Sequence, residues 1–210
     1  MSDYLRDPEA IYRRSFATIE AEADFSSLPE PARPLARRLV HACGMPEIVP
    51  DLVFNGDPAA AGLAALDAGA IVFADCAMAG AGIVRRRLPA KNPVLCLLDD
   101  PRVTWFAAAN ATTRSAAAVE LWRDRLAGSV VAIGNAPTAL FRLIEMLEEG
   151  APAPAAIFAF PVGFVGAAES KAALIARVTT VPFVTLRGRR GGSPLAAAAV
   201  NALTAGTGAP

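Results

Sequence analysis

Short apolar runs alternate along this chain with longer amphipathic or alanine-rich stretches. The clearest run is Ala70-Ile71-Val72-Phe73-Ala74, apolar throughout, as a strand buried on both faces requires. Leu52–Phe54, Val94–Leu98, Ser129–Ile133, Ala155–Phe160 and Val181–Leu186 read as further strands. Helical stretches lie between them. Pro58–Asp67 is alanine-rich and closed by Gly69. Thr112–Ser115 opens a helix to about Leu126, and Gly134–Thr138 precedes one to Glu149. A further helix includes Glu169 and Lys171, and a last one runs from Ser193 to about Leu203. This rhythm predicts an α/β fold, a mostly parallel β-sheet with helices on both faces in a single three-layer domain over residues 1–203. The small, polar tail 204–210 is expected to be flexible.

Two helices precede the first strand. Asp7-Pro8 is an N-cap followed by proline at the first helical position. Ile11, Phe16 and Ile19 supply an apolar face, and Ser15 sits inside it. Its hydroxyl either bonds back to its own helix or is offered to a pocket. The next helix, around Leu35–Gly44, holds His41, the single histidine of the chain. Leu35, Ala36, Leu39, Val40 and Cys43 share one stripe. His41 falls opposite, with Arg37 and Arg38 four and three residues before it. Two readings stand: a solvated surface histidine, or an imidazole set between two guanidinium groups and aimed at an anion. Two such neighbours would depress its pKa until a polyanionic ligand offset them.

Composition narrows the class. Twenty basic and twenty acidic side chains balance in 210 residues, so nothing global points to nucleic acid or an acidic membrane surface. The longest apolar run falls short of the ~18 residues of a membrane span, and the N-terminus lacks a secretory pattern. Cys43, Cys76 and Cys96 are odd in number and widely spaced, the pattern of free thiols in a reducing cytoplasm.

Sheets of this kind bind ligands beyond the carboxyl ends of their strands. Four glycine-bearing segments each follow a strand and precede a helix: Asp75–Gly82, Gly134–Thr138, Pro161–Gly163 and Gly188–Ser193. Together they predict a site for a large anionic molecule. Nucleotide and metal chemistry find no support in the motifs. A phosphate loop is absent, Arg85 stands where a dinucleotide fingerprint needs its third glycine, and one histidine with scattered cysteines makes no zinc site. Cys76, at a strand end, is a candidate nucleophile with His41 for a hydrolase, or simply a small buried residue. Arg85-Arg86-Arg87 fits a solvated face or a subunit contact.

Several segments carry a family likeness. They are Arg38–Gly44, Asp75 with Met78 and Gly82-Ile83, Thr113-Arg114-Ser115, Gly134–Leu140, Pro161–Val165 with Glu169-Ser170-Lys171, and Gly188–Ser193 with Asn201-Ala202-Leu203. In that order and spacing the chain resembles the precorrin-8X methylmutase family of cobalamin biosynthesis along nearly its whole length. The resemblance implies an isomerase that moves a methyl group of a corrin precursor from C-11 to C-12, a 1,5-sigmatropic shift giving hydrogenobyrinate, without metal or organic cofactor. It places the catalytic histidine on His41, expected to protonate the ring, and substrate contacts on Ser15 and Arg38. Arg114, Asp75, Met78 and Asn135 stand in the matched segments as further expected contacts. Met78, Ile83 or Phe164 would supply an apolar wall. A chain so rich in alanine and apolar residues for its size is expected to be a homodimer, and the resemblance points the same way. The competing reading is a corrinoid carrier that binds the ring without chemistry.

Overall fold

A computed structural model describes residues 4–204; the tail beyond Thr204 lies outside the described residues. Six strands form one sheet: β1 (Leu52–Asn55), β2 (Val72–Ala74), β3 (Val94–Leu95), β4 (Val130–Ile133), β5 (Ala156–Ala159) and β6 (Phe183–Leu186), in the order β1-β6-β5-β4-β2-β3. All neighbours are parallel except β1, which pairs antiparallel with β6 at one edge, Leu52 opposite Leu186. The described helices are α1 (Pro8–Glu22), α2 (Arg33–Cys43), α3 (Pro58–Asp67), α4 (Ala77–Gly82), α5 (Pro101–Ala109), α6 (Arg114–Glu120), α7 (Pro137–Glu148), α8 (Ala167–Arg177) and α9 (Ser193–Leu203).

The strand alternation feeds two cores. Val130, Ala132, Ala156, Phe158 and Val184 pack with α2, α3 and α9 on one face. Val131, Ile133, Ile157, Ala159 and Phe183 pack with α7 and α8 on the other. Period-two side-chain placement is what lets an all-apolar strand serve both layers. The expected three-layer α/β domain is therefore the observed one.

Several boundaries depart from the sequence reading. The strand expected over Val94–Leu98 is only β3, two residues long. The helix expected to run to about Leu126 stops at Glu120 and continues as a 3₁₀ turn over Arg123–Arg125. Asp75–Gly82, read as a loop, contains α4, whose small residues allow close packing on α9. A Cβ at Gly82 would stand 2.7 Å from the Ala197 methyl. Helix α5 was not predicted at all, although Asp100-Pro101 repeats the N-cap pattern of Asp7-Pro8.

Candidate active site

Helix α2 buries Leu35, Ala36, Leu39 and Val40 against the core and ends at Gly44, whose left-handed φ of 66° suits a residue without Cβ. That leaves Arg37, Arg38 and His41 on the outer face, where α1 lies across them. The face α1 turns inward is Tyr12, Ser15, Phe16 and Ile19, an i, i+3, i+4, i+7 stripe. Ile11, expected on that face, is 46% exposed instead.

Ser15 Oγ lies 2.9 Å from His41 Nδ1. The imidazole stacks on Phe16 with centroids 4.9 Å apart, and Tyr12 meets it edge-on at 6.1 Å. Both aromatic rings also carry Arg38, whose guanidinium carbon is 5.3 Å from the Tyr12 centroid and 5.0 Å from that of Phe16. Arg37 does not complete the expected pair around His41. It is ion-paired with Glu20 and stacked over Phe25 at 5.0 Å. Burial first, and Arg38 second, push the His41 pKa below its ordinary value. The free ring is thus neutral at pH 7. With Ser15 donating to Nδ1, the ring proton sits on Nε2; in the imidazolium form the hydroxyl accepts instead.

His41 and Ser15 line a cavity of about 430 Å³ between α1, α2 and the turn at Gly44–Pro46, together with Ile11, Arg14 and Thr18. Arg38 lines a separate cavity of about 400 Å³ on the other flank of α2, beside Pro34, Leu63 and Leu203. The two residues share an aromatic support but face different spaces.

Asp75, Met78, Arg114 and Asn135 form a second group, at the carboxyl edge of the sheet. Asp75 is 2% exposed and accepts from the backbone N–H groups of Gly134 (2.9 Å), Asn135 (2.9 Å) and Ala136 (2.7 Å). Burial raises its pKa against the pull of these donors. The N–H groups leading into α7, read from sequence as offered to an anion, are therefore already occupied by the protein's own carboxylate. Asn135 is exposed, and its carbonyl accepts from Val162 N at 3.3 Å. Arg114 holds the Leu98 carbonyl (2.9 Å) and the Asp99 carboxylate (3.0 Å). Met78 is 70% exposed and Phe164 85%, whereas Ile83 is buried in the core and offers no wall. Among the described residues no hydrogen bond or ring contact joins this group to His41. The link is the chain itself: Pro46–Asp51 leads from α2 to β1, and Asp51 accepts from Arg187 N at 2.8 Å on the same edge.

Cys76 is buried at the start of α4, its Sγ 3.1 Å from Ser193 Oγ. The Nδ1 partner of His41 is Ser15, so no Cys–His pair forms, and all three cysteines are free.

The comparisons with known proteins bear on the whole of this arrangement. A family profile described as precorrin-8X methylmutase matches residues 10–205. The chain belongs to the precorrin-8X methylmutase family. A protein of Pseudomonas aeruginosa named precorrin-8X methylmutase is 58% identical over 97% of this chain and 98% of its own. One of a Sinorhizobium species with the same name is 58% identical over 96% of each. The solved precorrin-8X methylmutase of Thermus thermophilus superposes with a TM-score of 0.83 at 38% identity, covering 93% of this chain and 94% of its own.

Within this methylmutase framework Tyr12 is missing from the sequence reading, and Phe16, expected only on an apolar face, is the floor of the histidine. The spacing of Tyr12, Ser15, Phe16 and Ile19 around a polar hydroxyl was the available sign. Lys171 stands in the sequence reading as part of a helix and of a matched segment, with no role of its own, yet it is fully buried; its partner is a backbone carbonyl 19 residues away, which no local pattern announces.

Proposed function

We propose that this chain converts precorrin-8X to hydrogenobyrinate, moving the methyl group from C-11 to C-12 of the macrocycle, with His41 delivering a proton to the ring. The observation that carries this reading is the held imidazole. His41 has one nitrogen bonded to Ser15, one face stacked on Phe16, and the rim of a cavity beside it. The migration is intramolecular, so no second reactant has to be brought in. Protonation draws electron density through the conjugated system and lowers the barrier, and general acid catalysis of this kind contributes about 10²–10⁴-fold. The neutral free ring takes up its proton as the carboxylate arms of the substrate arrive, since nearby anions favour the imidazolium.

Ser15 is read here as acting through His41. Arg38 and Arg114 are read as partners for carboxylate arms, with Met78 an apolar wall and Asn135 an exposed polar contact. Asp75 is assigned to shaping the loop that presents Asn135. A corrin macrocycle is larger than the 430 Å³ beside His41. The remainder of it extends along the carboxyl edge or under a second subunit, and the exposed Leu5 and Ile11 lining this cavity favour a homodimer. Three free cysteines suit a cytoplasmic setting. No described helix is long and apolar enough to cross a membrane.

The test is to incubate chelator-treated, desalted protein with precorrin-8X and follow the visible spectrum. Catalytic conversion over many turnovers supports the isomerase. A single stoichiometric binding change without product makes it a carrier, and restoration by added metal or nucleotide overturns the cofactor-free reading.

A further inference from the structure

One buried cation has no part in the chemistry above. Lys171, on α8, is fully buried, and its Nζ donates to the Arg190 carbonyl at 2.5 Å. An apolar side chain of equal length would be cheaper to bury there. The charge sits under the loop between β6 and α9, and that loop is held from several sides. Arg190 reaches across to Asp51 at 2.6 Å and towards Glu47 at 3.9 Å. Gly192 N donates to the Phe160 carbonyl at 2.8 Å, and a Cβ at Gly191 would collide with the carbonyls of Phe160 and Pro161. Gly163 N donates to the Arg189 carbonyl at 3.3 Å.

What this fixed loop presents is cationic and apolar together. Arg189 stacks at 5.2 Å over Phe164. Val162 and Val165 beside Phe164 are exposed as well, and so are Arg187 and Arg189. Neither Arg187 nor Arg189 has an acidic partner among the described residues. Two unpaired guanidinium groups beside an exposed aromatic ring match a large ring bearing carboxylate arms.

We propose that Lys171 is a positioning residue for ligand binding: through the Arg190 carbonyl it holds the β6–α9 loop in the shape that presents Arg187 and Arg189 to carboxylate arms of the macrocycle. This rests on the function proposed above. The ammonium is close enough to that loop to respond to an anion bound there. Burial, then Arg190, lower its pKa to about 8, while Asp51 opposes them. A bound polyanion stabilises the ammonium, so affinity falls as pH rises above about 8. The charged groups facing it are Arg190 and Asp51, with Glu47 beside Arg190. Burial pushes up the thiol of Cys43, which also lies near Arg190, and Glu169 on α8 itself is exposed.

The experiment is an absorbance titration of wild type and Lys171→Met with hydrogenobyrinate at about pH 7 and about pH 9.5, alongside KM and kcat for precorrin-8X. Lys171→Met is expected to melt near wild type, because an apolar residue replaces a buried charge. It should bind about 5–10-fold more weakly at neutral pH, raise KM with kcat nearly unchanged, and lose the alkaline weakening seen in wild type. Wild-type affinity and an unchanged alkaline slope in the variant overturn the proposal. If Lys171→Met does not fold, Arg189→Gln, on the surface, is expected to weaken binding about 5-fold, and unchanged binding overturns the proposal there. A wild-type protein that neither binds hydrogenobyrinate nor turns over precorrin-8X instead refutes the function itself, and the assignment falls with it.

Discussion

If Ser15 acts through His41, its removal should cost nothing once the histidine is gone. The perturbation is a double-mutant cycle of Ser15→Ala and His41→Ala. The Oγ–Nδ1 hydrogen bond is 2.9 Å long, between α1 and α2, with Ser15 partly buried and His41 exposed. A hydrogen bond of this kind is worth about 0.5–1.5 kcal/mol net, so Ser15→Ala should slow single turnover by about 2–12-fold. His41→Ala removes the proton donor and should slow it by at least about 10²-fold. His41 lies off the buried stripe of α2, so both variants should fold. The double variant should match His41→Ala alone, because the serine has lost the ring it orients. The assay is single-turnover conversion of precorrin-8X at saturating enzyme, read by absorbance, with hydrogenobyrinate affinity measured in parallel. A further loss from Ser15→Ala in the His41→Ala background, equal to its loss in wild type, refutes the reasoning. Ser15 would then contact the substrate itself.

Three other outcomes follow from the geometry. The His41 pKa is below its usual value in the free protein and a bound polyanion raises it, so hydrogenobyrinate should bind with proton uptake and more tightly as pH falls from about 8 to 6; pH-independent affinity in that range, or an equal slope in His41→Ala, counts against this. Asp75→Asn replaces an acceptor of three N–H groups with a side chain whose NH₂ faces a donor, and should cost about 1–3 kcal/mol, read as a lower urea midpoint; an unchanged midpoint would mean the β4–α7 loop does not depend on it. Light scattering at micromolar concentration should give about twice the 21.7 kDa chain mass, and full activity from a monomer would remove the homodimer from the reading.

The helices and strands that were legible in this chain are those whose cause is local. A proline after an aspartate starts α1, a glycine in the left-handed region ends α2, unbroken apolar runs make β2, β4 and β5, and one interrupted only by Thr185 makes β6. Each depends on neighbours a few positions away, which is the range over which sequence pattern carries information. Helix α4 is harder because all its residues but Met78 are small, which blurs the 3.6-residue period, and α5 because its largest apolar side chain, Trp105, is exposed and off the buried Val103–Ala107 stripe. The segments of the methylmutase likeness could be picked out in the same way, since each is a short contiguous string. The site itself depends on tertiary structure. Ser15 meets His41 across 26 positions, Asp75 reaches Gly134 across 59, and Lys171 finds the Arg190 carbonyl across 19. Only packing decided that Arg37 would pair with Glu20 while Arg38 lay on Tyr12 and Phe16, although the two arginines are adjacent in the chain. A side chain's neighbours along a helix set which face it occupies, but its charge state and its partner are set by whatever the rest of the fold lays against that face.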